Sequence, residues 1–157
     1  MRKILVALDG SENSLKAVHY AGTQFGCSDD IRIVLCNVLP IVPAEFWDDG
    51  HILTEKERTD RKNVIDKWIE NQKLQLDPMF AAAKNTLSAA GVEADQVTTK
   101  LLSDSLDIAA SICEEARTGG YQTLVIGRCG RSDPQGRIGM IAEKIARLGA
   151  VIPVCIV

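Results

Sequence analysis

Apolar residues fall along this chain in two modes that take turns. One mode is the short, nearly unbroken run. Arg2–Leu8 is such a run after two basic residues, and it reads as a strand buried on both faces, the kind found in parallel sheets. Ile31–Leu39, closed by Pro40, is the second. Val97–Ser103, Gln122–Ile126 and Val151–Val157 complete a set of five predicted strands. The other mode is the three-and-four spacing of a helix face. Ser14–Gly26 carries it at Leu15, Val18, Ala21, Gly22 and Phe25. Asp9-Gly10-Ser11 supplies turn chemistry and a helix start before it, and Gly26 a stop after it. Ser105–Arg117 repeats the spacing at Leu106, Ile108, Ala109, Ile112, Cys113 and Ala116, and Gly119-Gly120 ends it. Met140–Leu148 predicts the last helix.

Ile41–Gln96 is the longest stretch without a clear strand. Pro43 and Glu45-Phe-Trp-Asp-Asp-Gly50 open it as an irregular loop. Leu53–Leu76 is charge-rich, with Val64, Ile65, Trp68, Ile69 and Gln72 on one helical stripe and a solvated opposite face. Asp77-Pro78 predicts a fresh N-cap with proline at the first helical position, starting a separate helix over Met79–Ala90 that ends at Gly91.

Five alternations of strand and helix predict one α/β domain over residues 1–157, built on a mostly parallel sheet. Ligands of such sheets bind beyond the C-terminal strand ends, where strand order reverses. Pro153 cannot donate to a sheet ladder, so the last strand belongs at an edge. A bare apolar edge invites pairing. The expectation is a homodimer formed through Val151–Val157.

Composition narrows the classes. The 157 residues are 46% hydrophobic and 25% charged, ordinary for a globular domain. A net charge of −3 argues against nucleic acid as a partner. No apolar run reaches the length of a membrane span, and the N-terminal run lacks the features of a signal peptide, so a cytoplasmic location is expected. Five cysteines without a CxxC pair read as free thiols in a reducing compartment. With His19 and His51 the only histidines, no metal site is assigned.

The chemistry concentrates in Gly127–Gly139, GRCGRSDPQGRIG. It holds four of the twelve glycines, follows the apolar Thr123–Ile126, and leads into a helix. Glycines let backbone approach a ligand closely, and a helix start offers unpaired N–H donors with a partial positive charge. Arg128, Arg131 and Arg137 add full charges. A mobile surface loop with turn glycines is the plain alternative. Cys129, between Arg128 and Arg131 and near a helix start, raises a further alternative, a reactive thiol.

These residues resemble the universal stress protein family. The opening Ile4-Leu-Val-Ala-Leu-Asp-Gly-Ser11 with Ser14 and Ala17 matches its first strand and turn. Asn37-Val38 stands where the family often has a His-Val pair. Val125-Ile-Gly127, Gly130, Gly139, Glu143-Lys144-Ile145 and Pro153-Val154 match its last third. The resemblance implies a doubly wound, five-stranded parallel sheet of order 3-2-1-4-5 with helices on both faces, and dimers joined by the last strand. It also implies, in those members that bind it, ATP, with magnesium as its companion ion. Asp9 would then contact the nucleotide, Val38 the adenine through its backbone, and a G-x2-G-x9-G-(Ser/Thr) loop the phosphates. Candidate contacts are therefore Asp9, Val38, Gly127, Arg128, Gly130, Arg131, Gly139 and Met140, with Ala7 and Ile141 beside them. No catalytic residue is assigned, and any ATP hydrolysis is expected to be slow.

Two departures open a second reading. Only eight residues separate Gly130 from Gly139, and Met140 takes the Ser/Thr place. A hydroxyl donates to a phosphate oxygen, whereas a thioether does not. The alternative is a dimeric adaptor or signalling protein of the same family that binds no nucleotide.

Overall fold

The computed structural model describes residues 2–39, 53–102, 106–130, 137–149 and 152–157. Five parallel strands form its sheet: β1 (Arg2–Ala7), β2 (Ile31–Val38), β3 (Val97–Leu102), β4 (Thr123–Ile126) and β5 (Val154–Ile156). Their order across the sheet is β3-β2-β1-β4-β5. Strand order therefore reverses between β1 and β4, which pair directly, with Ile4 opposite Thr123 and Ala7 opposite Ile126. Among the described residues four α-helices accompany them: α1 (Glu12–Phe25), α2 (Glu55–Ala89), α3 (Ile108–Thr118) and α4 (Met140–Leu148).

The pleat sorts the apolar runs into two cores, because successive side chains leave a strand on opposite faces. Ile4, Val6, Leu8, Ile31, Ile33, Leu35 and Val125 pack with Ala17, Val18 and Ala21 of α1 and with Phe80, Ala83 and Leu87 of α2. Leu5, Val34, Cys36, Leu124 and Ile126 pack against Ala109, Ile112 and Ala116 of α3 and Ala142 and Ile145 of α4. β1 and β4 feed both cores, which explains their unbroken hydrophobicity.

The structure corrects three local expectations. Asp77-Pro78 starts no helix. Pro78 lies exposed inside α2, which runs unbroken from a Thr54–Glu57 capping box to Ala89. An internal proline lacks an N–H and crowds the preceding turn, at a cost of about 3 kcal/mol. Leu76 and Met79 on its two sides, with Phe80 beyond, all reach the same core, so burial holds the helix continuous. The third helix begins at Ile108, not Ser105, because Asp107 caps it by accepting from the Ala110 N–H. β5 covers only Val154–Ile156 of the expected Val151–Val157. Pro153 precedes it, and its carbonyl accepts from the Leu124 N–H, so the proline joins the ladder only at the strand's start, where a missing N–H is tolerated. Ser103 and the loop over residues 41–50 lie outside the described residues.

One polar cluster is buried on the α3 side. The Tyr121 hydroxyl donates to Glu115 Oε1 at 2.7 Å, and Lys100 Nζ donates to the same oxygen at 2.7 Å. Burial, then the bond to Glu115, raises the Tyr121 pKa above its ordinary value. Cys36 on the same face is pushed up to about 12, chiefly by burial. A group whose pKa is raised by folding stabilises fully below its unfolded value, about 10 for tyrosine, and loses that contribution as pH climbs through its folded value. Urea midpoints are therefore expected to fall with pH from about 9, where the Cys36 thiol begins to count, and more steeply from about 10, where Tyr121 joins it. Tyr121→Phe is expected to cost about 1.5–3 kcal/mol at neutral pH and to make the alkaline decline shallower. An alkaline slope identical to that of the unsubstituted protein would count against the Tyr121–Glu115 bond.

Candidate functional site

At the reversal point the C-terminal tips of β1 and β4 lie side by side. Asp9 follows β1 by two residues, and its Oδ1 accepts from the Ser11 N–H at 2.9 Å, an Asx turn that folds the chain into α1. Gly10 between them sits at φ 78°, a left-handed value that disfavours any other residue. Ser11, not Asp9, caps α1, its Oγ accepting from the Ser14 N–H at 3.1 Å. The aspartate thus spends one oxygen on the turn and leaves Oδ2 facing β4's loop.

The glycines there serve close approach. A Cβ on Gly127 would stand 2.8–2.9 Å from the Asn13 carbonyl and the Ser14 nitrogen, backbone that cannot give way. A Cβ on Gly130 would stand 2.7 Å from Asp9 Oδ2. The two strand tips therefore meet through these residues. Arg128 is exposed, but its backbone is committed. Its N–H donates to the Val157 carbonyl at 2.6 Å, and its carbonyl accepts from the Gly139 N–H at 2.8 Å. Gly139 caps α4 with no side-chain bond, and the N–H groups that follow form the open positive end of a nine-residue helix.

The other candidate residues divide. Ala7 ends β1, in register with Cys36 and Ile126. Val38 ends β2 half-buried, paired with Leu102. Met140 is 81% exposed and Ile141 39% exposed, so the thioether does not fill the notch. Arg131 lies outside the described residues. Cys129 is 7% exposed, with Sγ accepting from Asn13 Nδ2 at 2.7 Å. A reactive thiol needs access, and this one is enclosed. A shallow concavity of about 430 Å3 lies elsewhere, along Met140, Glu143, Lys144, Arg147 and Leu148 of α4. Among the described residues no three His, Cys, Asp or Glu side chains gather as a metal site, and no helix is long and apolar enough to cross a membrane.

Two asparagines support the site that residue spacing did not single out. Asn37, buried at the end of β2, donates to the Leu8 carbonyl at 2.7 Å and steadies the residue before Asp9. Asn13 donates to both the carbonyl (3.2 Å) and the sulfur of Cys129. Their partners are 29 and 116 residues away, so only the folded topology reveals them.

This is a doubly wound α/β protein whose glycine turn meets the tip of β1 at the topological switch point. The sequence matches the universal stress protein family over residues 1–157, and the chain belongs to that family. Solved structures agree on the fold. A universal stress protein in complex with cAMP is 21% identical, with 99% of this chain and 95% of that chain covered and a TM-score of 0.60. The universal stress protein from Archaeoglobus fulgidus in complex with dAMP is 18% identical, with 99% and 97% covered and a TM-score of 0.59. A family member from Arabidopsis thaliana with AMP bound is 15% identical, with 100% and 91% covered and a TM-score of 0.59. A comparison with curated proteins returned no match.

The two inner glycines separate stability from ligand geometry. Gly127→Ala drives a methyl into helix backbone and is expected to cost about 1–3 kcal/mol. Gly130→Ala meets only the end of the Asp9 side chain, which can rotate, and is expected to cost well under that. Urea midpoints of the two variants check the order, and equal losses would contradict the close contact at Gly127.

Proposed function

We propose that the protein binds an adenine nucleotide in the notch between the tips of β1 and β4. The observation that carries this reading is the approach of Gly130 to Asp9, which sets a carboxylate beside a backbone-lined turn and the open start of α4. A carboxylate accepts from ribose hydroxyls, while helix-start N–H groups favour phosphate. Val38, at the end of the adjoining strand, offers backbone to the base, and Ala7, Arg128 and Ile141 border the same end of the sheet. The structural neighbours that carry AMP, dAMP and cAMP support the ligand class. ATP, with magnesium as its companion ion, is the ligand that the resemblance to ATP-binding family members suggests, and the role proposed is binding in a stress response, with at most slow hydrolysis.

Met140 favours a second reading. A solvent-facing thioether stands where a hydroxyl would bond a phosphate, which supports a family member that works as an adaptor with an empty notch. Dimerisation through the β5 edge suits both readings. Ile156 on that edge is 37% exposed, and β5 stands last in the sheet order, so its outer side is an edge that a second strand could extend. A cytoplasmic setting accords with five free cysteines.

Heat-denaturing the purified protein and identifying released nucleotide by absorbance and mass tests the first reading, followed by calorimetric titration with AMP and ATP. Binding is expected. Asp9→Ala is expected to weaken it tenfold to a hundredfold, about 1.5–3 kcal/mol. Met140→Thr is expected to strengthen ATP binding by up to about tenfold. No copurified nucleotide and no heat at millimolar concentrations would sink the nucleotide reading and leave the adaptor. Sedimentation of Ile156→Lys checks the dimer separately: the variant is expected to be monomeric, and an unchanged dimer rules out this edge.

A further inference from the structure

The glycine turn after β4 is held from outside itself at three places. The Arg128 N–H donates to the Val157 carbonyl, the Arg128 carbonyl accepts from the Gly139 N–H, and Cys129 receives the side-chain amide of Asn13. The first two anchors are backbone. The third is the one made by a side chain alone, and it joins elements 116 residues apart.

Asn13 lies two residues after Ser11, the cap of α1. Its side chain points away from the helix rather than capping it, and Nδ2 brings both hydrogens to one residue, the carbonyl and sulfur of Cys129. The carbonyl fixes the amide's orientation, since the alternative would set two acceptor oxygens together. Behind Cys129 there is no slack. A Cβ on Gly139 would stand 3.0 Å from its Cα, so the turn is pressed between Asn13 and the start of α4. The same first turn of α1 anchors Asp9, whose Oδ1 accepts from the Ser11 N–H. Both walls of the notch thus take their position from one piece of α1: Asp9 through Ser11, and Gly130 through Asn13 and Cys129.

We propose that Asn13 is a positioning residue for the ligand site, clamping the glycine turn to α1 so that Gly130 stays opposite Asp9. The amide is the group this task needs. Aspartate would set a carboxylate against a carbonyl, serine is too short, and alanine leaves both acceptors without the donor. The binding part of this inference rests on the nucleotide reading above, while the clamp rests on geometry alone.

The test uses the full chain with Asn13→Ala, Cys129→Ala, Cys129→Ser and the double alanine variant. Alanine suits the first turn of a helix, so folding is retained. In the ligand-free protein, the Arg128 and Gly139 amide protons are expected to exchange at least about tenfold faster in Asn13→Ala, with the β1–β2 ladder unchanged. Calorimetry with AMP is expected to show affinity about tenfold weaker for Asn13→Ala and close to the parent for Cys129→Ser, whose hydroxyl still accepts. The double alanine variant is expected to lose less than the sum of the two single losses, the mark of a direct pair. Unchanged exchange at Arg128 and Gly139, or equal acceleration throughout the sheet, overturns the clamp. A faster-exchanging turn with undiminished AMP affinity overturns the positioning role. If the unsubstituted protein takes up neither AMP nor ATP, the nucleotide reading fails, and the exchange measurements still decide the clamp.

Discussion

Backbone touches backbone at Gly127, and the site depends on that contact. The end of β4 runs against the first turn of α1 with no room for a single added carbon. This requires β1, which launches α1, to be the neighbour of β4, as the β3-β2-β1-β4-β5 order makes it. Any order that separated them would leave Asp9 and Gly130 apart. The central place of β1 also follows from its burial, since Leu5 and Val6 are 0% exposed and face opposite cores. Hydrophobic burial fixes which strands are central, and a missing side chain lets their tips converge.

The fold was largely legible because each element carried its own local signal. Continuous apolar runs marked β1, β2 and β4, and regular spacing marked α1 and α4. The failures share one cause. At Asp77-Pro78 the local chemistry said stop, while the core contacts of Leu76, Met79 and Phe80 said continue, and the larger burial won. At β5 the apolar run exceeded the ladder, since Leu124, Val125 and Ile126 of short β4 set its register. The site was legible only in outline. Glycine spacing announced a close approach without saying to what. Asn13 gave no signal, and Asn37 drew notice only as the residue standing where the family often has histidine, because an asparagine in a helix's first turn or at a strand's end tells little until its distant partner is known.

Apart from the Tyr121–Glu115–Lys100 cluster, two buried amides stand at the ends of strands. Asn37 reaches the Leu8 carbonyl, and Gln96 reaches the Ser28 carbonyl from the other end of the sheet. Among the described residues every buried side-chain nitrogen or oxygen has a partner. Such bonds contribute modestly to net stability, but leaving one unmade costs more. Their effect is to specify where each loop departs, and a binding notch needs that definition more than it needs added stability.

That division bears on the altered loop. The features retained from the family pattern, Gly127, Gly130 and Gly139, act through backbone; of the two departures, Met140 replaces a side-chain hydroxyl, while the spacing shortened by one residue between Gly130 and Gly139 alters the length of the loop itself. Backbone N–H groups donate whatever residue carries them, proline excepted. On the proposed reading, losing the hydroxyl therefore lowers affinity without changing the kind of ligand. Losing a glycine would deform the notch itself. On either reading Gly130 has a structural reason to be glycine, since a Cβ there would stand 2.7 Å from Asp9 Oδ2. On the proposed nucleotide reading, the same missing side chain keeps the Asp9 carboxylate and the backbone of the turn within reach of one ligand.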